Sequence, residues 1–133
     1  MAKNKLKVSD DKMLTEVELE LMTILWSLSE GSVADVIERL PKNRNLAYTS
    51  VSTILRILEQ KGTLKARKEG RGHIYIPLVS KENYETKTLK HVVEHVFDGT
   101  PLSLAKQLIS NVGLTKSDLL ELKKMIEKVE QKS

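Results

Sequence analysis

No cysteine occurs in the 133 residues, which removes disulfide bonds, thiolate metal sites and thiol nucleophiles together. Aromatic residues are nearly as scarce. Trp26, Tyr48, Tyr75, Tyr84 and Phe97 are the five, so a core must be built mainly from Leu, Ile and Val, in the manner of packed helices. Long hydrophobic runs are absent as well: the densest stretch is Leu21, Met22 and then Ile24 to Trp26, far short of the ~20 residues a bilayer requires. The charged start from Met1 to Lys12 lacks the apolar centre of a signal peptide. These features lead to an expectation of a cytoplasmic chain with no membrane partner. The chain is too short for a large catalytic scaffold such as an α/β barrel and suits one compact domain, or a small domain with an appendage. It has no Gly-rich phosphate loop followed by Lys-Ser/Thr, no nucleophile elbow and no carboxylates clustered on one helix face. Neither an enzyme nor a cofactor is therefore expected.

Charge is present but unevenly spread. The net charge is +4, yet between Arg39 and His73 nine bases (Arg39, Lys42, Arg44, Arg56, Lys61, Lys65, Arg67, Lys68, Arg71) face two acids, Glu59 and Glu69. Outside that stretch acids outnumber bases by 16 to 13. One segment thus carries the positive field. A solvated Lys/Arg surface with no anionic partner would look the same on charge alone, so the choice depends on the structure that presents these side chains.

Residues 1–12 are polar, without apolar period, and are expected to form a flexible arm. Thr15 with Glu18 is a capping box, and Leu14, Val17, Leu21, Ile24, Leu25 and Leu28 then share one helical face to about Ser29, where Gly31 ends the helix. Leu19, Met22 and Trp26 form a second apolar stripe, which indicates burial on two sides. Ser32 with Asp35 opens a second helix of about nine residues carrying Val33, Val36, Ile37 and Leu40, and Pro41 stops it. A third helix runs from near Ala47 to Lys61-Gly62, a basic end followed by a glycine suited to the left-handed position. The period then shifts toward two. Thr63 to Lys68 and His73 to Leu78 are candidate strands around Glu69-Gly70-Arg71-Gly72, with Pro77 restricting the second strand to an edge or an end. Three helices and a small hairpin describe a winged helix-turn-helix domain over residues 13–79.

Residues 80–133 form a separate helical segment. Ser80 caps a helix to about Phe97, broken by Asp98-Gly99; Thr100-Pro101 opens another to about Ser110; Thr115 with Asp118 opens the last. Leu89, Val92, Val93, Val96, Leu104, Leu108, Leu119, Leu122, Ile126 and Val129 supply their apolar stripes. Three short helices have little interior of their own, so these ten side chains are expected to form a dimerisation domain with a second copy of the chain. The fold class is mainly α with a small β-hairpin wing.

On a helical wheel the third helix places Val51, Ile54, Leu55 and Leu58 on a core side and Thr49, Ser52, Thr53, Arg56 and Gln60 on the other. Small hydroxyls let a helix approach a duplex groove closely, Gln and hydroxyls bond phosphates or base edges, and Arg can grip guanine with two hydrogen bonds. Lys65, Arg67, Lys68 and Arg71 crowd onto the wing beside it. Two neighbouring elements thus favour double-stranded DNA as the partner.

The residues that make this pattern specific are Leu14-Thr15-Glu16 and Leu25-Trp26 in the first helix, Tyr48 through Gly62 in the third, and Gly70-Arg71 to Tyr75-Ile76-Pro77 in the wing. Over residues 13–130 they resemble the BlaI/MecI/CopY, or penicillinase-repressor-like, bacterial regulators. The resemblance implies a homodimeric transcriptional repressor on a palindromic operator. The expected DNA contacts are Arg44, Tyr48, Thr49, Ser50, Ser52, Thr53, Arg56, Lys65, Arg67, Lys68 and Arg71. CopY-like members sense copper through C-terminal cysteines, which this chain lacks. BlaI- and MecI-like members are inactivated by cleavage of an Asn-Phe bond, and the aligned bond here is Gln107-Leu108. An inactivating protease or sensor is a candidate partner, with its signal open.

Two other classes compete. His91, Glu94 and His95 fit the H-x-x-E-H order of a zinc peptidase, since His at i and i+4 can share a metal. Both histidines lie opposite Leu89, Val92 and Val96, as solvated residues on a polar face would, and a peptidase needs a further ligand and a cleft. The alternative function is therefore a helical metal-binding (His91/His95) or protein-interaction module that binds no DNA. It leaves the basic wing and the hydroxyl-rich third helix unexplained.

Overall fold

The computed structural model describes residues 13–132, so the expected arm at residues 1–12 lies outside the described residues. Helices α1 (Glu16–Leu28), α2 (Val33–Arg39) and α3 (Tyr48–Gln60) are followed by strands β1 (Leu64–Glu69) and β2 (Gly72–Pro77), then by α4 (Lys81–His95), α5 (Pro101–Asn111) and α6 (Lys116–Lys132). This is the mainly helical winged architecture with one two-stranded antiparallel sheet. The chain divides into two compact units, one ending at Thr88 and the other beginning at Leu89. Among the described residues no helix is long and apolar enough to cross a membrane.

In the first unit, local chemistry sets where helices begin. Thr15 Oγ1 accepts from the Glu18 amide at 3.1 Å while Glu18 Oε1 accepts from the Thr15 amide at 3.0 Å, satisfying donors that a helix start leaves free. Ser32 and Asp35 repeat the exchange at 3.1 and 2.9 Å. α2 is seven residues rather than nine, because Leu40, preceding Pro41, is forced to extended backbone (ψ 148°). α3 ends at Gln60, and Gly62 takes φ +85°, a conformation that costs a side-chain-bearing residue but not glycine.

The end of α1 departs from the expectation. Ser29, with φ +77°, closes the helix, and Gly31 has a different duty. Its amide donates to the Tyr75 carbonyl at 3.0 Å and its carbonyl accepts from the Tyr75 amide at 2.8 Å. β2 is therefore flanked on both sides at Tyr75, and Pro77, which lacks a donor, sits at its end opposite Leu64. A Cβ on Gly31 would lie 3.3 Å from both Asp35 Cβ and Leu28 Cδ1, so the tight entry into α2 favours a residue without a side chain.

The core is one cluster: Leu21, Met22 and Leu25 from α1, Val33 and Val36 from α2, Val51, Leu55 and Leu58 from α3, and Leu64 and Tyr75 from the wing. Each such side chain, fully buried, contributes roughly 1.5–3 kcal/mol. Burial of α1 on two sides follows from the second stripe, where Met22 is buried and Trp26 packs against the same cluster. Trp26 Nε1 donates to the Val79 carbonyl at 2.8 Å and its ring lies 5.8 Å from that of Tyr84, which attaches the first half of α4 to this unit.

The second unit has no buried residue in α5 or α6. α4 stops at His95, two residues before the expected Phe97, and Asp98 and Gly99 both take positive φ, 52° and 75°. Pro101 occupies the first turn of α5, where its missing donor is harmless. Thr115 Oγ1 accepts from the Asp118 amide at 3.0 Å and Asp118 Oδ2 accepts from the Thr115 amide at 3.1 Å, which opens α6.

Candidate nucleic-acid interface

α3 is sharply two-sided. Val51, Leu55 and Leu58 are wholly buried, Ile54 and Ser52 are half-buried, and Tyr48, Thr49, Ser50, Thr53, Arg56 and Gln60 are exposed. The expected outer face is thus outward, apart from Ser52 near its edge. Arg56 is in no ion pair among the described residues, so its five donors remain available to a partner.

Beside α3 stands the wing. Leu64 pairs with Pro77, Ala66 with Tyr75 and Lys68 with His73, and Gly70-Arg71 is the two-residue connection. Gly70 has φ +61° while Arg71 keeps negative φ, the signs of a type II′ turn, which matches the twist of the strands it joins. Lys65, Lys68 and Arg71 are exposed, and none of the three is in an ion pair among the described residues. Burial first, and then the charge of Glu59, raise the Tyr75 phenol above its ordinary value, while Arg56 acts in the opposite sense. Leu64 and Tyr75 pack in one buried cluster with Val51, Leu55 and Leu58, so the wing lies alongside α3.

Three bases of the positive stretch are already paired. Lys61 Nζ donates to Glu18 Oε2 at 2.8 Å, Arg44 Nε lies 3.0 Å from both oxygens of Glu20, and Arg67 reaches Glu30 and Glu69 at 2.9 and 3.1 Å. The hydrogen bond from Arg67 is the chief cause that holds the Glu30 carboxyl below its ordinary value, and Glu30 in turn raises the guanidinium. The acids Glu18, Glu20 and Glu30 belong to α1 and the turn after it, remote in sequence from the basic stretch, and charge counting along the chain misses them. Of the seven excess positive charges between Arg39 and His73, these pairs offset three.

His91 is half-buried rather than solvated, and its ring stacks on that of His95 at 4.1 Å. His95 Nδ1 lies 2.9 Å from the His91 carbonyl, which can only accept, so that nitrogen carries a proton and is not a free ligand. No group of three His, Cys, Asp or Glu gathers around a metal position among the described residues. Gln107 and Leu108 lie inside α5, where Gln107 Oε1 accepts from Asn111 Nδ2 at 2.7 Å.

A three-helix core whose third helix turns a polar, arginine-bearing face outward next to a basic hairpin is the architecture of winged helix-turn-helix DNA-binding regulators. The penicillinase repressor family model matches residues 14–128, and the chain belongs to that family: it is a transcriptional repressor, not an enzyme. It is 27% identical over 114 residues to the penicillinase repressor of Bacillus licheniformis, a match covering 86% of this chain and 89% of that one. Among solved structures it is similar to the DNA-binding domain of the repressor BlaI, at 32% identity over 53% of this chain and 87% of that one, with a TM-score of 0.48. It is also similar to the monomeric form of B. licheniformis BlaI in complex with the blaP half-operator, at 32% identity over 55% and 89% of the two chains, with a TM-score of 0.47.

Proposed function

We propose that this repressor acts in the cytoplasm as a homodimer on a palindromic operator, with α3 in the major groove and the wing against the sugar-phosphate backbone. The observation that carries the reading is the division of α3: Val51, Leu55 and Leu58 are wholly buried in the core, while Thr49, Thr53 and Arg56 are exposed, Arg56 in no ion pair among the described residues. Arg56 reads a base edge, the hydroxyls of Thr49, Ser50, Ser52 and Thr53 with Tyr48 fix the register on phosphates or bases, and Lys68 and Arg71 supply charge from the wing. Arg44 is held by Glu20 through Nε alone in the free protein, which leaves its Nη donors to meet a phosphate.

The second unit supports the dimer. α5 and α6 enclose an open apolar groove of about 480 Å³ lined by Leu108, Ile109, Leu119, Leu122 and Ile126, and Leu89 and Val96 of α4 are also exposed. So much apolar surface on so small a unit is an interface feature, and a second copy offers the same stripe in return.

Selection of bound duplexes from a random pool by the purified chain tests function and symmetry together. An enriched inverted repeat with half-sites one helical turn apart, or a small multiple of that, is expected. Enrichment of an asymmetric site would remove the dimer, and failure to enrich any sequence would remove operator recognition.

A further inference from the structure

Side chains alternate across a strand pair, so the register divides the wing into two faces. Leu64, Ala66 and Lys68 share one with His73, Tyr75 and Pro77, while Lys65, Arg67 and Glu69 share the other with Gly72, Ile74 and Ile76. The first is the core face, because Leu64 and Tyr75 are buried and Ala66 packs against the same cluster. Its apolar part ends at the Ala66–Tyr75 pair. Beyond it the Lys68–His73 pair carries the same face past the core, exposed, with the His73 ring 6.3 Å from that of Tyr75. The charges of Glu59 and Arg56 on α3 act on Tyr75 of this face in opposite senses.

The other face is electrically balanced. Arg67 Nη2 donates to Glu30 Oε2 at 2.9 Å and to Glu69 Oε1 at 3.1 Å, and Nη1 donates to Glu30 Oε1 at 3.3 Å. One cation against two carboxylates leaves that trio at −1, and Lys65 brings the face only to neutral. A phosphate approaching Arg67 would find three of its five donors taken by two anions that also repel it. Among the described residues Lys68 and Arg71 have no acid beside them in an ion pair, so the tip and the core-side face stand at +2 before His73 is counted.

We infer that the wing meets DNA through Lys68, Arg71 and His73, and that Arg67 is a positioning residue that straps the hairpin to the turn after α1 through Glu30. This rests on the DNA-binding reading above and assigns Lys65 and Arg67 to the side of the wing turned from the phosphates. The strap ties β1 to the segment that Gly31 already joins to β2 through Tyr75, so the hairpin is fixed from both strands and its tip is presented at one angle.

The test measures the affinity of the full chain for a short duplex of arbitrary sequence across a salt series, where each phosphate that a variant no longer neutralises lowers the slope of log affinity against log salt by about one unit. Lys68→Ala and Arg71→Ala should each lower the slope so, and His73→Ala should weaken binding. Arg67→Ala and Glu30→Gln should weaken binding with the slope unchanged, and the double variant should be no worse than either single one, because both remove the same strap. Exchange of the pair, Glu30→Arg with Arg67→Glu, should restore affinity and keeps the fold's ion pair. A lower slope in Arg67→Ala, tighter binding by Glu30→Gln, or no rescue by the exchange overturns the assignment. Absence of salt-dependent binding in the unaltered chain would instead remove the DNA-binding reading on which it stands.

Discussion

Lys61 Nζ lies 2.8 Å from Glu18 Oε2, so the end of α3 is fastened to the first turn of α1. The other oxygen of the same carboxylate accepts from the Thr15 amide at 3.0 Å. Glu18, a charged residue only 7% exposed, thereby serves as cap for one helix and anchor for another. The direction in which α3 presents Arg56 is thus tied to the start of α1 through a single carboxylate.

Removal of that carboxylate should be costly and pH-dependent. Glu18→Ala loses a capping bond and leaves the Thr15 amide unpaired, for a loss of roughly 1–3 kcal/mol in urea unfolding. Burial taken alone would raise the Glu18 carboxyl; the hydrogen bond from Lys61, the Thr15 amide and the Lys61 charge outweigh it and hold the group below its ordinary value of 4.5. A carboxyl depressed in the folded state contributes fully above the unfolded value and loses that contribution as pH falls through the folded one. The acid limb of the stability curve, from about pH 4.5 downward, should accordingly be shallower in Glu18→Gln. An identical limb in the two proteins would mean that the pair is immaterial to folding.

The elements that can be read from the sequence are those fixed by neighbours along the chain. Thr15 with Glu18 and Ser32 with Asp35 announce helix starts because the groups that bond are three residues apart, and Gly70 announces the hairpin because the turn needs its positive φ. The face of α3 is legible for the same reason, since Val51, Leu55 and Leu58 repeat at helical spacing. What escapes depends on distance in sequence: Gly31 meets Tyr75, Glu18 meets Lys61, and Glu30 meets Arg67 across 37 positions. A charge count along the chain assigns Glu18, Glu20 and Glu30 to the remainder of the protein, whereas the fold sets them against the basic segment. His73 escapes because strand alternation becomes informative only once the register shows which face is the core.

Gly31 is a site where a small change should be felt. Its Cβ position is 3.3 Å from both Asp35 Cβ and Leu28 Cδ1, tighter than ordinary packing. Gly31→Val adds three carbons there and strains the two hydrogen bonds to Tyr75, for a predicted loss of about 1–3 kcal/mol. Gly72, whose Cβ position meets nothing within 4 Å, provides the comparison: Gly72→Val should leave the thermal midpoint nearly unmoved. Equal tolerance at the two positions would show that the entry to α2 is looser than its geometry.

Arg56→Ala should discriminate between base reading and simple charge attraction. On the selected operator it is expected to cost roughly 1–3 kcal/mol and to relax preference at one base step in each half-site. On scrambled DNA the loss should be smaller. An equal loss on both would reassign Arg56 to a phosphate, and recognition would then rest on the hydroxyls of α3.

Leu122 tests the link between the second unit and repression. It lies on α6 with 39% of its surface exposed, in the groove that Leu108 and Ile126 also line. No residue of α5 or α6 is buried, so the winged unit, whose core is complete without them, should remain folded when this surface is altered. Leu122→Asp places a carboxylate where a partner's apolar stripe would have to desolvate it, which costs more than an interface of this kind can absorb. Sedimentation should then show monomers at concentrations where the unaltered chain is dimeric. Affinity for a full palindrome should fall toward that for a half-site, because the second domain no longer binds at the effective concentration set by its attachment to the first. Half-site affinity itself should be unchanged, since α3 and the wing are untouched. Retention of the dimer by Leu122→Asp would move the interface to another face of the unit, and a monomeric unaltered chain that binds a palindrome no better than a half-site would end the dimeric reading.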